Sequence, residues 1–175
     1  MLFQKILDIF SKKNNIKTLF LVDILYMKDL NAIYDFKNGD FIIRQLDSIL
    51  KTNIKELIKE ELKRNISINI KNTHADVFEI YLLDDLSIEE IVIVKNIIYE
   101  SIVSNNFKLL DNYGTINIDI TIGCAKSEDQ HIKIYAEKAL YNAKLNFIHY
   151  MYYDSFLYKN ESVNENLLDV LNYSI

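Results

Sequence analysis

Residues 66–83 read "ISINIKNTHADVFEIYLL", and this stretch decides the fold class. Apolar and polar residues alternate through "ISINI" (66–70) and again through "VFEIYLL" (77–83), which predicts two strands. The segment between them is short, so the two strands are predicted to form an antiparallel hairpin. Its turn contains "HAD" (74–76) and no glycine, although such turns often need positive φ at their central residues.

The elements around this hairpin indicate a layered α+β domain. The continuous apolar run "TLFLVDI" (18–24) predicts a strand buried on both faces, "TINIDITIGCA" (115–125) a further strand, and "IHYMYY" (148–153) an edge strand. A capping-box pattern of Ser87 and Glu90 predicts the start of a helix. Apolar residues at helical spacing predict the other helices, over 2–10, 27–38 (a short helix and a loop), 39–62, 131–147 and 164–173. This order of elements predicts an α+β domain of ferredoxin-like type.

The composition excludes several classes of protein. Of the 175 residues 50% are hydrophobic, proline is absent and glycine occurs three times, so one globular domain with short connections is expected. The net charge of −5 argues against a nucleic-acid partner. No apolar run approaches the roughly 20 residues of a membrane span, so we expect no membrane contact by this segment. The single cysteine, Cys124, excludes an intrachain disulfide and favours a reduced, cytoplasmic location.

Two aspartates stand where strands end. Asp23 closes the buried strand, and Asp76 lies in the hairpin turn before the next strand. If those strands are neighbours, both carboxylates project from one edge of the sheet, where they could hold Mg²⁺ together with water and substrate phosphates. Spacing alone leaves open that both are turn or capping residues. The same alternative applies to Gly39 and Asp40, which fit the start of a helix.

Four segments in the correct order resemble the GGDEF (diguanylate cyclase) family. The stretch "DILYMKDLNAIYDFKNGD" (23–40) is similar to the family's first block, and "HADVF" (74–78) aligns with its signature turn. The strand "ITIGCA" (120–125) and the helix "AEKALYNAK" (136–144) resemble two later segments. The resemblance implies a nucleotidyl-cyclase-like (GGDEF) fold, which is a central antiparallel sheet flanked by helices. It also suggests a GGDEF domain over 1–158 and a linker helix over 159–175.

The resemblance implies roles for individual residues. Two aspartates match the family's Mg²⁺ ligands, an Asn/Asp pair matches the groups that hydrogen-bond guanine, and two lysines match the lysine of the first block and a triphosphate contact. These are Asp23 and Asp76 for the metal, and Asn31, Asp40, Lys28 and Lys144 for a guanine nucleotide such as GTP.

The departures from the family pattern concern the catalytic end. The signature turn here comprises His74, Ala75, Asp76, Val77 and Phe78, so both glycines and the glutamate of the signature are replaced. Ile148 stands where an arginine is expected, and Asn65 and Ile68 stand where the family has its inhibitory product site. Losing one preorganised electrostatic group typically costs about 10²–10³ in rate. The resemblance therefore implies a degenerate member that does not make cyclic di-GMP.

Family members act as homodimers, and degenerate ones commonly accompany a phosphodiesterase (EAL) domain. The tail "NENLLDVLNYSI" (164–175) resembles the helix that leads into such a domain, so an adjacent EAL or sensory domain is expected. Three functions stay open: an inactive nucleotide-binding regulatory domain, an active diguanylate cyclase with a variant signature, and a purely structural or dimerisation domain. The first is favoured because the base-contact pair and metal carboxylates are present while the signature turn is altered.

Overall fold

The computed structural model describes residues 18–74, 76–127 and 131–154, and every structural statement below concerns these ranges. The elements in chain order are β1 (Thr18–Ile24), α1 (Met27–Tyr34), α2 (Phe36–Ile49), a π-helical segment (Leu50–Ile54), α3 (Lys55–Leu62), β2 (Ile68–His74), β3 (Val77–Leu82), α4 (Ile88–Val103), β4 (Phe107–Lys108), β5 (Thr115–Ile116), β6 (Ile120–Lys126), α5 (Ile132–Leu145) and β7 (Tyr150–Asp154). None of the helices in these ranges has both the length and the hydropathy that a membrane crossing requires.

The strand β1 lies at the centre of a five-stranded sheet whose order is β2-β3-β1-β6-β7. It pairs antiparallel with both β3 and β6, and every one of its residues is buried, as its continuous apolar run predicts. The edge strand β7 pairs parallel with β6. The sheet is therefore mixed rather than wholly antiparallel, and the α+β fold class predicted from the sequence is confirmed.

Helices cover both faces of the sheet, and the two-residue period of a strand decides which side chains face which layer. Phe20 and Val22 point into the main core under α2 to α4. Leu19 and Leu21 point to the opposite face, where they pack against α5. Asp23 follows Leu21 in this alternation, so its side chain lies on the α5 side of the sheet.

The hairpin of β2 and β3 and the capping box are confirmed. The hairpin carries a register shift between Asn72 and His74, next to the predicted turn. The hydroxyl of Ser87 accepts a hydrogen bond from the Glu90 N–H, and the Glu90 carboxylate accepts one from the Ser87 N–H. The predicted edge strand is β7, and Cys124 is buried as expected.

The prediction of one strand over 115–125 is wrong. Its first part, β5, pairs with β4 in a separate small hairpin, and only β6 joins the main sheet. The Gln45 side chain accepts from the Lys108 N–H and donates to the Lys108 carbonyl, so α2 holds this hairpin in place. Apolar and polar residues continue to alternate through Ile118, which is buried in the core, although β5 and β6 pair with different strands. For this reason the alternation alone does not reveal the break.

The predicted loop before Gly39 is also wrong. The helix α2 begins at Phe36, because the Asp35 carboxylate accepts a hydrogen bond from the Asn38 N–H and caps the helix. Asp40 therefore lies inside the helix and is no cap. Gly39 leaves room for the Asn31 side chain, since a Cβ there would meet the Asn31 amide oxygen, a side-chain end that can move aside. The helices predicted over 2–10 and 164–173, and Ala75 of the turn, lie outside the described residues.

Gly123 on β6 allows α5 to lie directly on the sheet. A Cβ at this position would meet the α5 backbone, 2.6 Å from the Ala136 carbonyl oxygen. We expect Gly123→Ala to lower the free energy of unfolding by about 1–3 kcal/mol, because a backbone contact cannot rotate away. For a chain of this size that corresponds to a fall in Tm of roughly 2–10 °C in thermal unfolding. Gly39→Ala is the matched control, since its new methyl group would meet only side-chain ends. Equal losses in both variants would contradict this explanation.

Candidate functional site

A cleft of about 580 Å³ opens where β1 ends, on the side of the sheet covered by α5. Four parts of the chain form it: the end of β1 with the start of α1, the β2–β3 turn, the segment leading into β6, and the end of α5. Its lining comprises Asp23, Ile24, Leu25, Tyr26, Met27, Lys28, Asp29, Asp76, Asp119, Thr121, Ala143, Lys144, Phe147, Ile148 and His149. Acidic and basic side chains thus share one cavity.

Asp23 is the most constrained charge in the cleft. Its residue is only 4% exposed, and its carboxylate lies 2.7 Å from the Lys144 ammonium. Burial raises the pKa of Asp23, the hydrogen bond and charge of Lys144 oppose this, and the nearby charge of Asp76 raises the pKa further. The buried carboxylate therefore depends on a cation, which Lys144 supplies in this structure.

Asp76 lines the same cleft, and a backbone hydrogen bond fixes its position. Its carbonyl accepts a hydrogen bond of 3.2 Å from the Ile24 N–H, which ties the β2–β3 turn to the end of β1. The structure thus brings Asp23 and Asp76 together. Within the described residues no group of three or more His, Cys, Asp or Glu side chains could hold a metal ion. Two carboxylates with no third ligand fit Mg²⁺ only if water and substrate phosphates complete its coordination.

The other predicted nucleotide contacts divide into two groups. Lys28 and Lys144 line the cleft, whereas Asn31 and Asp40 do not. The Asn31 amide oxygen is buried against Gly39 and has no hydrogen-bond partner among the described residues. Asp40 is exposed on α2. The residues expected to bind phosphate and metal therefore converge, and the pair expected to read guanine lies beside them, where α1 packs on α2.

The turn between β2 and β3 places an aliphatic side chain next to the buried carboxylate. Val77 is the direct cross-strand partner of Asp23. Cβ atoms of such partners lie about 4.5–5.5 Å apart, so the valine adds to the desolvation of Asp23. Phe78 is fully buried and anchors β3 in the main core. The turn therefore keeps its structural anchor and one carboxylate, Asp76, without a glutamate at position 77.

Two aromatic residues of the cleft were not predicted from the sequence as site residues. Tyr26 and Phe147 are 70% and 92% exposed, and their φ angles are 57° and 55°, in the left-handed region that large side chains rarely adopt. Phe147 follows the end of α5 in a Schellman motif, in which the Ile148 N–H donates to the Ala143 carbonyl. This turn carries residues 147–149 into the cleft. Sequence patterns give no signal for it, because glycine is the residue usually found there.

His149 was also missed. Its Nδ1 lies 3.3 Å from an Asp119 carboxylate oxygen and 3.2 Å from the Ile120 carbonyl oxygen, and its ring meets Tyr99 edge-on. Its contact with Asp119 has no short-range signal in the sequence. The pair forms because β7 lies beside β6, so residues 30 positions apart in sequence meet where these two strands begin.

The raised pKa of Asp23 predicts a specific pH dependence of stability. The folded chain binds a proton at Asp23 more readily than the unfolded chain, for which 3.8 is the ordinary value, so ionising Asp23 lowers stability. In metal-free buffer Asp23→Asn should therefore raise Tm at neutral pH. The gain should shrink as the pH falls through the raised pKa towards 3.8.

Thermal unfolding at several pH values measures this difference. Asp40→Asn is the matched control, because that carboxylate is exposed and its removal should change Tm little. A Tm of Asp23→Asn below that of the wild type at neutral pH would show that the pair with Lys144 outweighs the desolvation of Asp23.

Solved structures with the same fold include GGDEF domains and a diguanylate cyclase/phosphodiesterase. A diguanylate cyclase/phosphodiesterase from Caldicellulosiruptor saccharolyticus superposes with a TM-score of 0.63 at 18% identity, over 86% of this chain and 85% of that one. The FimX GGDEF domain from Pseudomonas aeruginosa gives 0.61 at 15% identity, over 87% and 91%. The GGDEF domain of DgcB from Caulobacter crescentus, in complex with c-di-GMP, gives 0.60 at 16% identity, over 78% and 74%.

Sequence comparison adds nothing to these superpositions. No protein-family model matches the chain, and no curated protein matches it either. At 15–18% identity the superpositions bear on the fold and not on the activity. They agree with the mixed five-stranded sheet and its flanking helices. The chain has the fold of a GGDEF domain.

Proposed function

We propose that this chain is a degenerate GGDEF domain that binds a guanine nucleotide and does not convert it to cyclic di-GMP. In this proposal it acts as a regulatory module beside an EAL or sensory domain. One observation carries the proposal: Asp23, Asp76, Lys28 and Lys144 line one cleft, while Val77 stands beside Asp23 where the family has an acid.

The two lysines of the cleft support phosphate binding. Lys28 and Lys144 supply ammonium groups, which act on phosphates as mobile point charges. Asp23 and Asp76 would hold Mg²⁺ shared with the phosphates, and the ion would supply the positive charge that Asp23 now receives from Lys144. Lys144 would then be released from Asp23 to contact phosphate. Asn31 and Asp40 would read the guanine at the α1–α2 junction.

The same residues argue against turnover. Joining two nucleotides requires a group that removes the proton from the attacking hydroxyl and groups that stabilise charge on the leaving phosphate. Val77 cannot accept a proton, and Ile148 adds no charge to the cleft. Each missing electrostatic group typically costs about 10²–10³ in rate, and groups acting as a unit fail together. Binding survives such losses more easily than chemistry does.

Calorimetric titration of the 175-residue chain with GTP and Mg²⁺ tests the proposal. We expect saturable binding that weakens about tenfold in Lys144→Ala and in Asn31→Ala, since one charged or buried hydrogen bond contributes about 1.4 kcal/mol. Lys138→Ala, an equal loss of charge at an exposed position of α5, should leave binding unchanged. Absence of binding at about 1 mM GTP, where the binding energy would reach only about −4 kcal/mol, would refute the nucleotide-binding role.

The convergence of Asp23 and Asp76 favours one alternative, an active diguanylate cyclase with a variant signature. Mass spectrometry of the products formed from GTP with Mg²⁺ or Mn²⁺ distinguishes the two. We expect no cyclic di-GMP. Product that disappears in Asp76→Ala would establish the alternative and overturn the inactive assignment.

A purely structural or dimerisation role is the third hypothesis. Exposed apolar side chains on α5, such as Tyr141 and Leu145, are compatible with it. It predicts that self-association or effects on a neighbouring domain persist when Asp23 and Asp76 are both changed to alanine.

A further inference from the structure

The imidazole of His149 is held at the wall of the cleft from three directions. Its Nδ1 faces the Ile120 carbonyl at 3.2 Å and the Asp119 carboxylate at 3.3 Å, and Tyr99 contacts the ring edge-on at a centroid distance of 5.5 Å. The side chain keeps 34% of its surface exposed. Within the described part of the chain no protein group bonds Nε2, so this nitrogen is available to a ligand.

Acidic and aromatic groups surround the ring. Asp119 from the segment before β6 is its direct partner, and Tyr99 faces it from α4. Burial raises the pKa of Tyr99, and the charges of Asp119 and Glu100 add to this effect. Negative groups stabilise an imidazolium. The remaining charged groups that line the cleft are Lys144 from α5, Lys28 and Asp29 from α1, Asp23 from β1 and Asp76 from the turn.

We propose that His149, oriented by Asp119, is a phosphate contact of this cleft that takes up a proton when the nucleotide binds. The proton comes from solvent, Nδ1–H remains directed at Ile120 and Asp119, and Nε2–H donates to a phosphate oxygen. The inference rests on the proposed function, since it requires a phosphate ligand. It adds a cation next to Ile148, where the cleft wall is otherwise aliphatic.

The proposal has a defined thermodynamic consequence. If the bound complex holds one more proton than the free partners, the affinity must rise as the pH falls, by reciprocal linkage. The measurement therefore spans about pH 6 to pH 8, the range in which histidine side chains in general can exchange a proton. A shift of one pKa unit on binding corresponds to an affinity about tenfold higher at low pH than at high pH.

Titration calorimetry with GTP and Mg²⁺ at about pH 6 and pH 8, in buffers of different ionisation enthalpy, measures both affinity and proton uptake. We expect the wild type to bind up to about tenfold more tightly at pH 6 than at pH 8 and to take up part of a proton, at most about half a proton for a shift of one pKa unit. His131→Gln is the matched control, because His131 precedes α5 outside the cleft lining, and it should behave as the wild type. The nucleotide's own titration is common to all variants and cancels in the comparison.

Two substitutions of His149 distinguish the effect of its proton uptake from the effect of its hydrogen-bonding position. His149→Gln places an amide near Nε2, and His149→Asn places one near Nδ1, and neither side chain titrates. Both should keep only the pH dependence that the nucleotide itself contributes, and at pH 8 both should bind as tightly as the wild type. An unchanged proton uptake in either variant would overturn the role of His149 and leave the proposed function intact. Absence of binding by the wild type at both pH values would overturn both.

Discussion

The buried carboxylate of Asp23 is the constraint on which the site depends. It ends the central strand, where pairing on both sides fixes its position, and it lies under α5 because strand side chains alternate between faces. A buried charge needs a partner, and Lys144 supplies one at 2.7 Å. That contact requires α5 to lie close to the sheet. Gly123 permits this because it has no Cβ, which would otherwise meet the α5 backbone. The ion pair therefore joins the packing of the fold to the chemistry of the cleft.

Much of this arrangement could be predicted from the sequence because it is local. The buried run of β1, the β2–β3 hairpin and the Ser87 capping box all have short-range signals, and each is found in the structure. The convergence of Asp23 and Asp76 also followed, since it depends only on β1 and β3 being neighbours. The predicted start of α2 was wrong because of a local cap, the Asp35 carboxylate, whereas the error over 115–125 involves tertiary contacts. The strand breaks before β6 because β5 pairs with β4 instead of joining the main sheet. Two hydrogen bonds from the Gln45 side chain to the backbone of Lys108, 63 residues away, hold that small hairpin, and no period in the sequence encodes this contact.

The cleft itself was only partly predictable for the same reason. His149 meets Asp119 through the parallel pairing of β7 with β6, and Tyr26 and Phe147 line the cleft in a backbone conformation that aromatic residues seldom adopt. The placement of Asn31 depends on helix packing against Gly39. In the proposed function, the residues that bind phosphate and metal are therefore positioned by the sheet. The residues that bind guanine are positioned by the packing of α1 on α2. The two ends can change independently, which makes binding without turnover physically reasonable.

The central claim is that a nucleotide occupies this cleft. The most direct measurement is a titration of the ¹⁵N-labelled chain with GTP and Mg²⁺, followed by amide ¹H–¹⁵N spectra. The account predicts saturable shifts that are largest at residues 23–29 and 143–149, with product absent from the same sample. Shifts that do not saturate, or that lie away from residues 23–40, 76 and 143–149, would contradict it.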